Sequence, residues 1–539
     1  MKSITRFSRC ILLILSFTLL VLSGCGDGSN STTPATFTAN QVAGKTFTYS
    51  SSTGSTGTVA FNADGAWSTT IGTLTFSGTW SVTSNGKLVC VTTAGGNHTN
   101  TYTLLSITAN SINTSVVEVN PSDPNNPATY TATFTATLSL RGNVVGVPTL
   151  IGTQTITQLD AITLGGLVAL TGKAKCDVKV EQINYRTPGV QPGEMSNASA
   201  AVLIPSGNDP GCKGPFPLIA FARGTNLEKA HTNATLTDPS TVLLMTFFAS
   251  QGYAVVATDY LGYALSNYPY HPYMHADTEA SSVIDSIRAT RNAASSLGLT
   301  LNGKIMVTGY SQGGHAAMAT QRAIERDNAG EFNIVAAAHL AGPYYVSKAL
   351  IDGVANPILG IQYFVPFQIT AWQKMYENLY NTASDVFNSP YDGFIEALLP
   401  AVNYPADLAK LPATTTAPSV ARDTVFKTAY LTDLATNPNN ATAVAAKKQD
   451  LLGWNPKAPT TLCGGSGDTT VNFSINAQAL YDDFLSRGVT VTLVDVDPMI
   501  KAAYGSVDPV TYNNKYHGEY EEPFCIWEAK QLFDQYKSR

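Results

Sequence analysis

The sequence predicts a small all-β domain followed by a larger α/β domain with a mainly parallel sheet and helices on both faces. Three observations carry this prediction. Residues 37–147 are rich in Thr, Gly and Asn and contain short runs whose polarity alternates with a period of two. After residue 150, apolar strand-like runs alternate with helical runs, as in βαβ units. One of these strands ends in a Gly-X-Ser-X-Gly motif that leads directly into a helix.

The composition excludes several classes of protein. The chain has 539 residues of which 44% are hydrophobic, enough to build large cores, so wholesale disorder is excluded. Only 13% of the residues are charged and the formal net charge is −6, which provides no basic surface for a phosphate backbone. We therefore expect no nucleic-acid partner.

Residues 1–24 are predicted to be a lipoprotein signal peptide. Three basic residues precede a run of twelve mostly apolar residues, shorter than the roughly 20 that span a bilayer. Leu22-Ser23-Gly24-Cys25 resembles the bacterial lipoprotein box, which implies cleavage before Cys25 and a diacylglycerol on its sulfur. Gly26 rather than Asp follows, so we expect the outer membrane, and residues 25–36 form a flexible tether. The alternative is ordinary secretion with Cys25 as a bystander.

The segment 37–147 is predicted to be an antiparallel barrel or sandwich. Apolar residues alternate with Thr through Tyr130–Leu138, which is typical of a half-buried strand. Asp64-Gly65 and Asn85-Gly86 are turn signals between other short runs. Its FNADGAW and GTWSV segments resemble lipocalin-like bacterial modules, and a passive spacer is an equal alternative. The other predicted strands are Thr46–Tyr49, Gly57–Phe61, Gly78–Val82 and Lys87–Val91.

The α/β domain is predicted to occupy residues 150–539. Strands at Phe216–Ala222, Ala254–Thr258 and Lys304–Thr308 are separated by helices near Thr241–Gln251 and Thr278–Leu297. In a parallel α/β sheet, the active site lies beyond the carboxyl ends of the strands. The catalytic residues are therefore expected in the loops that follow these strands.

Ser311 is the predicted nucleophile. It lies in Gly309-Tyr310-Ser311-Gln312-Gly313, after the strand Lys304–Thr308 and before a helix. Only very small neighbours fit around such a sharp bend, which lifts the hydroxyl above the sheet edge. The backbone N–H of Gln312 then points towards a developing oxyanion, and the N–H of Thr225, after Phe216–Ala222, is the candidate for a second donor.

The predicted base and acid are His517 and Asp468. In this architecture the chain order is Ser, then Asp or Glu, then His, and only His517 lies late enough. It sits in a polar loop before the final helix. Asp468 lies in the loop after a predicted strand, Pro459–Cys463, whereas its rivals Asp495 and Asp497 come one strand too late. Asp259 precedes the serine, so we expect it to make a structural hydrogen bond.

Four cysteines of the α/β domain are available for disulfides in an oxidising compartment, and they permit three pairings. We prefer Cys176–Cys212 with Cys463–Cys525, because each pair brackets one end of the catalytic region, and Cys90 is expected to be buried. No metal is expected, because CxxC is absent and Pro272 disfavours a helical metal pair of His271 and His275.

An ordered set of motifs resembles the secretory lipase family, the lipase A type of α/β-hydrolase, from about Gln158 to the C-terminus. The resemblance implies an α/β-hydrolase fold and hydrolysis of carboxylic esters through Ser311, Asp468 and His517. Relatives commonly have His where this chain has Arg223, so we expect a guanidinium beside the acyl pocket to alter substrate preference. The motifs are Arg223-Gly224-Thr225, DYLGY from Asp259, HPYMHA from His271, GYSQGG from Gly309 and AGPYY from Ala341.

An insertion at about 343–456 is predicted to form a helical cap over the serine, with a helix through Trp372–Tyr380. Taken together, the sequence predicts a surface-anchored serine esterase or lipase that needs no cofactor and acts on extracellular or periplasmic esters, hydrophobic or polymeric. The alternatives are a polyester depolymerase, a peptidase with the same triad, or a surface-binding lipoprotein with a minor hydrolase role.

Overall fold

The computed structural model of the chain describes residues 36–42, 45–62, 65–94, 98–107, 111–136, 141–163, 167–191 and 193–537. The predicted signal peptide, the predicted lipid attachment at Cys25 and nearly all of the predicted tether lie outside the described residues. Within the described ranges, no helix combines the length and apolar character needed to cross a membrane.

Eight antiparallel strands between residues 45 and 136 form a closed barrel, so the choice between barrel and sandwich is resolved. The first strand pairs with the last, and Tyr49 lies opposite Phe134. Phe47, Phe61 and Phe134 point inwards with Cys90 and are buried, so aromatic side chains occupy the interior. The strands are β1 (Lys45–Ser51), β2 (Thr56–Phe61), β3 (Ala66–Ile71), β4 (Leu74–Val82), β5 (Leu88–Ala94), β6 (Thr99–Ile107), β7 (Ser111–Asn120) and β8 (Asp123–Ala136).

The second part of the chain is built on a nine-stranded sheet with the order β17-β16-β15-β14-β12-β13-β11-β10-β9. The six strands from β12 to β17 are parallel, and β9, β10 and β11 extend one edge in antiparallel fashion. The strands are β9 (Thr149–Gln154), β10 (Asp177–Pro188), β11 (Met195–Ser206), β12 (Phe216–Ala222), β13 (Ala254–Tyr260), β14 (Leu301–Tyr310), β15 (Asn333–Leu340), β16 (Thr460–Gly464) and β17 (Thr492–Asp495).

The α-helices are α1 (Ile156–Thr163), α2 (Val168–Thr171), α3 (Pro239–Phe247), α4 (Ala276–Leu297), α5 (Gln312–Asp327), α6 (Val346–Ala355), α7 (Ile361–Tyr376), α8 (Ile395–Leu398), α9 (Pro418–Val425), α10 (Thr428–Thr436), α11 (Ala441–Lys447), α12 (Ala479–Ser486), α13 (Asp497–Tyr504), α14 (Pro509–Lys515) and α15 (Glu521–Tyr536). Two π-helical turns, Ser474–Gln478 and Tyr516–Tyr520, precede α12 and α15. Short 3₁₀ turns lie at Ala39–Gln41, Pro210–Cys212, Ala249–Gln251, Ala383–Asp385, Tyr391–Gly393 and Leu408–Lys410.

Helices cover both faces of the sheet. One face packs an apolar core against α3 and α15, and the other packs against α4 and α5. Strands buried on both faces are continuous apolar runs, which is why β12 and β13 are recognisable in the sequence.

Six helices, α6 to α11, lie between β15 and β16 and share an apolar core around the buried Trp372. The helix predicted through Tyr380 is shifted: α7 ends at Tyr376, and Glu377 has a left-handed φ of 56°. Leu379 and Tyr380 lie beyond this turn, where their N–H groups donate to the Gln373 side chain.

Two disulfides join Cys176 to Cys212 and Cys463 to Cys525, which are the two pairs preferred from the sequence. The second bond connects the carboxyl end of β16 to the first half of α15. It therefore fixes the helix that follows the predicted catalytic histidine to the strand that precedes the predicted acid.

Candidate active site

The turn between β14 and α5 holds Ser311 in a strained conformation, with φ of 59° and ψ of −124°. Space around the turn is minimal. A Cβ on Gly313 would lie 1.8 Å from the carbonyl oxygen of Ala222, and one on Gly309 would lie 2.3 Å from that of Gly313. Both glycines are thus required by close backbone approach, as their positions in the motif predict.

The structure brings the three predicted triad residues together above the carboxyl ends of the strands. His517 Nε2 lies 2.8 Å from Ser311 Oγ, and His517 Nδ1 lies 2.6 Å from Asp468 Oδ2. The other Asp468 oxygen accepts hydrogen bonds from the N–H groups of Thr470 and Val471, at 2.7 and 3.1 Å. An imidazole that bridges a hydroxyl and a carboxylate is the arrangement that makes a serine nucleophilic.

The other aspartates considered from the sequence are engaged elsewhere. Asp495 accepts hydrogen bonds from the N–H groups of Ser466 and Asp497, each at 2.9 Å. Asp497 accepts a hydrogen bond from the Tyr516 hydroxyl at 2.8 Å. Asp259 is fully buried and accepts hydrogen bonds within the core, including one of 2.7 Å from Ser199 Oγ.

His517 does not lie in the polar loop that the sequence predicts. It lies in the π-helical turn Tyr516–Tyr520, which joins α14 to α15 without a break although it contains Gly518. The ring of Tyr310 stacks on the imidazole with 5.1 Å between ring centroids. The Tyr310 hydroxyl donates to the backbone oxygen of His517 at 2.5 Å. Helical packing and this aromatic contact therefore fix the imidazole.

Charge interactions adjust the His517–Asp468 pair in opposite directions. Burial opposes ionisation of both groups, but the Asp468 carboxylate raises the pKa of His517 above its ordinary value. In the same way, burial is outweighed by the nearby imidazole, which lowers the pKa of Asp468. The carboxylate therefore stays charged and makes the histidine a stronger base.

The two predicted oxyanion donors border the same space. Gly224 lies so close to the serine that a Cβ there would contact Ser311 Cβ at 3.5 Å, which brings the Thr225 loop beside the nucleophile. Within the described part of the chain, neither the Gln312 nor the Thr225 backbone N–H is hydrogen-bonded to another protein group. The Thr225 hydroxyl is paired with Tyr273 Oη at 2.8 Å. Both N–H groups are therefore available to a developing negative charge.

A cavity of about 510 Å³ opens onto Ser311 and separates the helices of the insertion from the sheet. Its volume lies within the range of about 300–1,000 Å³ found for small-molecule sites. Its wall contains apolar side chains from α6, α7 and α10, among them Leu350, Val354, Ile361, Phe364 and Leu431, and further ones after β16, Val471 and Ile475.

Arg223 does not lie beside this cavity, so that expectation is wrong. The side chain is buried, and its guanidinium lies 4.1 Å from the centre of the Tyr263 ring. Nη2 donates to the backbone oxygen of Asp259 at 3.3 Å. The aromatic surface of Tyr263 draws the cation into the core, away from the substrate space.

The HPYMHA segment, which begins at His271, contacts the turn that carries Ser311 through the side chain of Gln312. Burial, together with the charge of Arg223, lowers the pKa of His271 to about 3, so the ring is neutral. Its Nδ1–H donates to Leu261 O at 2.9 Å, and its Nε2 accepts from the Gln312 side chain at 2.8 Å. The helix predicted from Thr278 begins at Ala276, with His275 as its preceding residue.

Two carboxyl groups near the site, those of Glu279 and Glu521, were missed by sequence reasoning. Glu279 accepts from the Gln312 amide at 2.8 Å and pairs with His315 at 2.7 Å. Glu521 lies 3.5 Å from His517 Nδ1. Its spacing of four residues from His517 was the available signal, because residues i and i+4 share a face of a continuous helix.

The model of the secretory lipase family matches residues 227–498 of this chain. This segment contains Ser311 and Asp468 and stops short of His517. A secreted triacylglycerol lipase of Malassezia furfur is 26% identical over 174 residues, which are 31% of this chain. The chain covers 36% of the length of that fungal lipase.

Solved structures also resemble this chain. The crystal structure of a rice cell wall degrading esterase, LipA from Xanthomonas oryzae, is 34% identical with a TM-score of 0.65. The likeness covers 73% of this chain and 99% of the esterase. The crystal structure of a hydrolase-like protein from Legionella pneumophila is 21% identical to this chain, with a TM-score of 0.62. The likeness covers 74% of this chain and 98% of the Legionella chain, and it shows a shared fold.

Proposed function

This chain belongs to the secretory lipase family, and on that premise we propose that it hydrolyses carboxylic esters through Ser311, His517 and Asp468. The observation that carries the proposal is the imidazole of His517, which lies 2.8 Å from the serine oxygen and 2.6 Å from the aspartate oxygen. Both distances are within hydrogen-bond range, so the base needs no rearrangement to act.

In the first half of the reaction, His517 Nε2 takes the Ser311 proton as Oγ attacks the ester carbonyl carbon. The N–H groups of Gln312 and Thr225 hold the negative oxygen of the tetrahedral intermediate. The imidazolium then protonates the leaving alcohol, and an acyl-enzyme remains. Water repeats the sequence and releases the acid, while Asp468 stabilises the imidazolium in both halves.

The cavity supports an ester with an apolar acyl group as the substrate class. Its wall of aliphatic and aromatic side chains from α6 and α7 replaces water around hydrocarbon, which contributes about 0.8 kcal/mol for each buried CH₂. One relative is named a secreted triacylglycerol lipase and another a rice cell wall degrading esterase. We propose extracellular or periplasmic esters for this chain.

The kinetic test compares the wild type with Ser311→Ala on p-nitrophenyl esters of increasing acyl length, on polyester films and on peptides. We expect Ser311→Ala to lower kcat on the esters by about 10,000-fold or more, with folding unchanged. Ser295→Ala, at an exposed position on α4, is the matched control and should retain full activity. Retained hydrolysis by Ser311→Ala, or a preference for peptides, would refute the proposal.

We also propose that the exported chain carries lipid on Cys25, which the Leu-Ser-Gly-Cys motif supports. The test grows cells with an alkyne fatty acid and detects label on the purified protein. The wild type and Cys90→Ser should be labelled, and Cys25→Ser should be unlabelled and released from the membrane fraction. A soluble, unlabelled wild type would indicate ordinary secretion instead.

A further inference from the structure

A second carboxyl group lies against the triad. Glu521 is the first residue of α15, and its side chain is fully buried. Its Oε2 lies 3.5 Å from His517 Nδ1 and 3.1 Å from Tyr310 Oη, and a carboxylate oxygen of Asp468 lies within 4.8 Å of the Glu521 carboxyl group. Two carboxyl groups therefore approach the same nitrogen of the imidazole, although the reaction needs only one.

The available hydrogens determine the protonation of Glu521. A tyrosine hydroxyl has one hydrogen, and Tyr310 lies 2.5 Å from the backbone oxygen of His517, which can only accept. Tyr310 therefore donates its hydrogen to the backbone oxygen of His517. The contact between Tyr310 Oη and Glu521 Oε2 would then join two acceptors unless Glu521 carries a proton. The carboxylate of Asp468 has an oxygen within 4.8 Å of that of Glu521, and two negative charges so close together would repel each other.

The surroundings of Glu521 favour its neutral form. Its Oε1 is buried and has no hydrogen-bond partner among the described residues. An isolated charge at that position would be costly, and the charge on Asp468 adds repulsion. Burial and Asp468 raise the pKa of Glu521 to about 8. The titratable groups that face it are Asp468, His517, Tyr310, Tyr344, Tyr516 and Glu522.

We propose that Glu521 is a positioning residue of the triad, which keeps its proton in the working enzyme and donates it in a hydrogen bond to Tyr310 Oη. The inference rests on the proposed function of Ser311, His517 and Asp468. The neutral donor holds the Tyr310 ring against the imidazole of His517 and leaves a single negative charge, that of Asp468, beside the imidazole. If Asp468 is replaced by Asn, Glu521 loses its charged neighbour, ionises and becomes the nearest acid to His517.

Asp468, His517 and Glu521 each have a potential ligand atom, and these atoms lie within 4.8 Å of one another. A cluster this compact suits a cation as well as a proton. The distance of 2.6 Å between His517 Nδ1 and Asp468 Oδ2 favours a proton. Two metal–ligand bonds of about 2.0 Å at a tetrahedral angle separate their donor atoms by roughly 3.3 Å. We therefore expect a metal chelator to leave ester hydrolysis unchanged. Loss of hydrolysis on adding the chelator, with recovery on adding zinc, would overturn the proposal.

The main test uses two substitutions at one position and a p-nitrophenyl ester as the substrate. Glu521→Gln keeps a neutral hydrogen-bond donor, so kcat should stay within about 3-fold and the acid limb of kcat/KM within about 0.3 pH units. Glu521→Leu is neutral but cannot donate, so kcat should fall about 10-fold or more with KM unchanged. Glu528→Gln, which replaces a partly buried carboxyl group two turns further along α15, is the control for the helix and should leave the limb in place.

An ionised Glu521 gives a different result. Its charge would raise the pKa of His517, so Glu521→Gln would move the acid limb down by about 1 unit or more. That shift, or full activity in Glu521→Leu, would overturn the inference. If Glu521→Leu does not fold, infrared difference spectra decide: the wild type at neutral pH should show a carboxylic acid band that Glu521→Gln lacks.

A further pair of variants tests the replacement role. Asp468→Asn should keep more activity than Asp468→Asn/Glu521→Gln, by about 10-fold, because the single variant retains a carboxyl group that can ionise. Equal activities would contradict the inference. Failure of the proposed function is distinguishable, because it would appear as hydrolysis that survives in Ser311→Ala.

Discussion

At Ser311 the backbone has a left-handed φ of 59°, which costs about 1–3 kcal/mol for a residue with a side chain. The surrounding contacts offset that cost, since Gly313 packs directly on the backbone of Ala222. The strain keeps the hydroxyl at the end of β14 and within reach of His517. Fixed backbone geometry at one residue thus prepares the nucleophile before a substrate arrives.

Gly313→Ala tests this packing. Its Cβ would lie 1.8 Å from Ala222 O, so the turn must move. We expect a loss of about 2–4 kcal/mol in the free energy of unfolding, measured by urea denaturation, together with a fall in kcat. Gly330→Ala, where a Cβ meets nothing within 4 Å, is the control and should change stability by less than about 0.5 kcal/mol. Equal effects of the two variants would show that the turn tolerates a side chain.

The pH dependence follows from the charge on Asp468. His517 accepts the serine proton only when it is neutral, so kcat/KM rises as the pH rises through the pKa of His517. Because Asp468 raises that pKa, the acid limb should lie above the usual histidine value of about 6.5. Asp468→Asn/Glu521→Gln, which removes both carboxyl groups beside the imidazole, should move the limb downward and lower kcat. A wild-type limb below 6.5, or one that this double variant leaves in place, would contradict the electrostatic effect of Asp468 on His517.

A short motif and a fixed chain order predict Ser311, Asp468 and His517 as one site, and two hydrogen bonds join them in the structure. Sequence reasoning missed Glu279, whose partners Gln312 and His315 lie more than 30 residues away, and Glu521, whose four-residue spacing from His517 is a signal only when that segment is helical rather than the expected loop. It was wrong about the surroundings of Arg223, because the cation lies on Tyr263 and that contact has no local signature.

At the scale of elements, prediction succeeded where burial is uniform. β12 matches its prediction from Phe216 to Ala222 because both of its faces are covered. The antiparallel strands β9, β10 and β11 were not anticipated, and neither were β3, β6 and β7 of the barrel, whose mixed polar sequences have a weaker period. The predicted bounds of α7 were wrong because Leu379 and Tyr380 keep the helical spacing of apolar residues in the sequence. In the structure both residues lie in the loop after Tyr376.

The helix α6 should control acyl chain length, since Val354 contributes to the cavity wall. Val354→Trp would fill part of the cavity, so kcat/KM for a p-nitrophenyl decanoate should fall about 10-fold while the butyrate value is retained. Val420→Trp, at an exposed position on α9, is the control. Equal losses on both esters would indicate that the acyl group binds elsewhere.

The disulfide between Cys463 and Cys525 closes 62 residues, and that between Cys176 and Cys212 closes 36. Replacing either pair by serine should cost about 2–4 kcal/mol, measured by thermal and urea unfolding. Only the Cys463/Cys525 variant frees the start of α15 beside His517. We expect its activity to be lost at a lower temperature than its global fold, whereas both should be lost together in the Cys176/Cys212 variant. Coincident loss in both variants would argue against a local role.

At the scale of the whole molecule, the barrel and the α/β part have separate apolar cores. The side chain of Arg141, which follows the barrel in the chain, pairs with the buried Asp285 at 3.0 Å. Stability of the catalytic part is therefore expected to depend on residues from Arg141 onward. The fold class was predictable because each part has its own sequence period, whereas barrel closure depends on a pairing between β1 and β8 that no local pattern reveals.

Deleting residues 37–136 tests the independence of the two parts. Because the deletion retains Arg141, kcat/KM on a soluble ester should stay within about 2-fold of the wild type. Adsorption to insoluble ester, measured by depletion from solution, shows whether the barrel binds surfaces. A large loss of soluble turnover in a folded variant would show that the barrel contributes to catalysis.

The most direct test of the central claim is covalent labelling with a fluorophosphonate, followed by peptide mapping. We expect one adduct, on Ser311, that forms rapidly in the wild type and about 10,000-fold more slowly in His517→Gln, because the base is lost. An adduct on another residue, or labelling of Ser311 that is equally fast without His517, would contradict this claim.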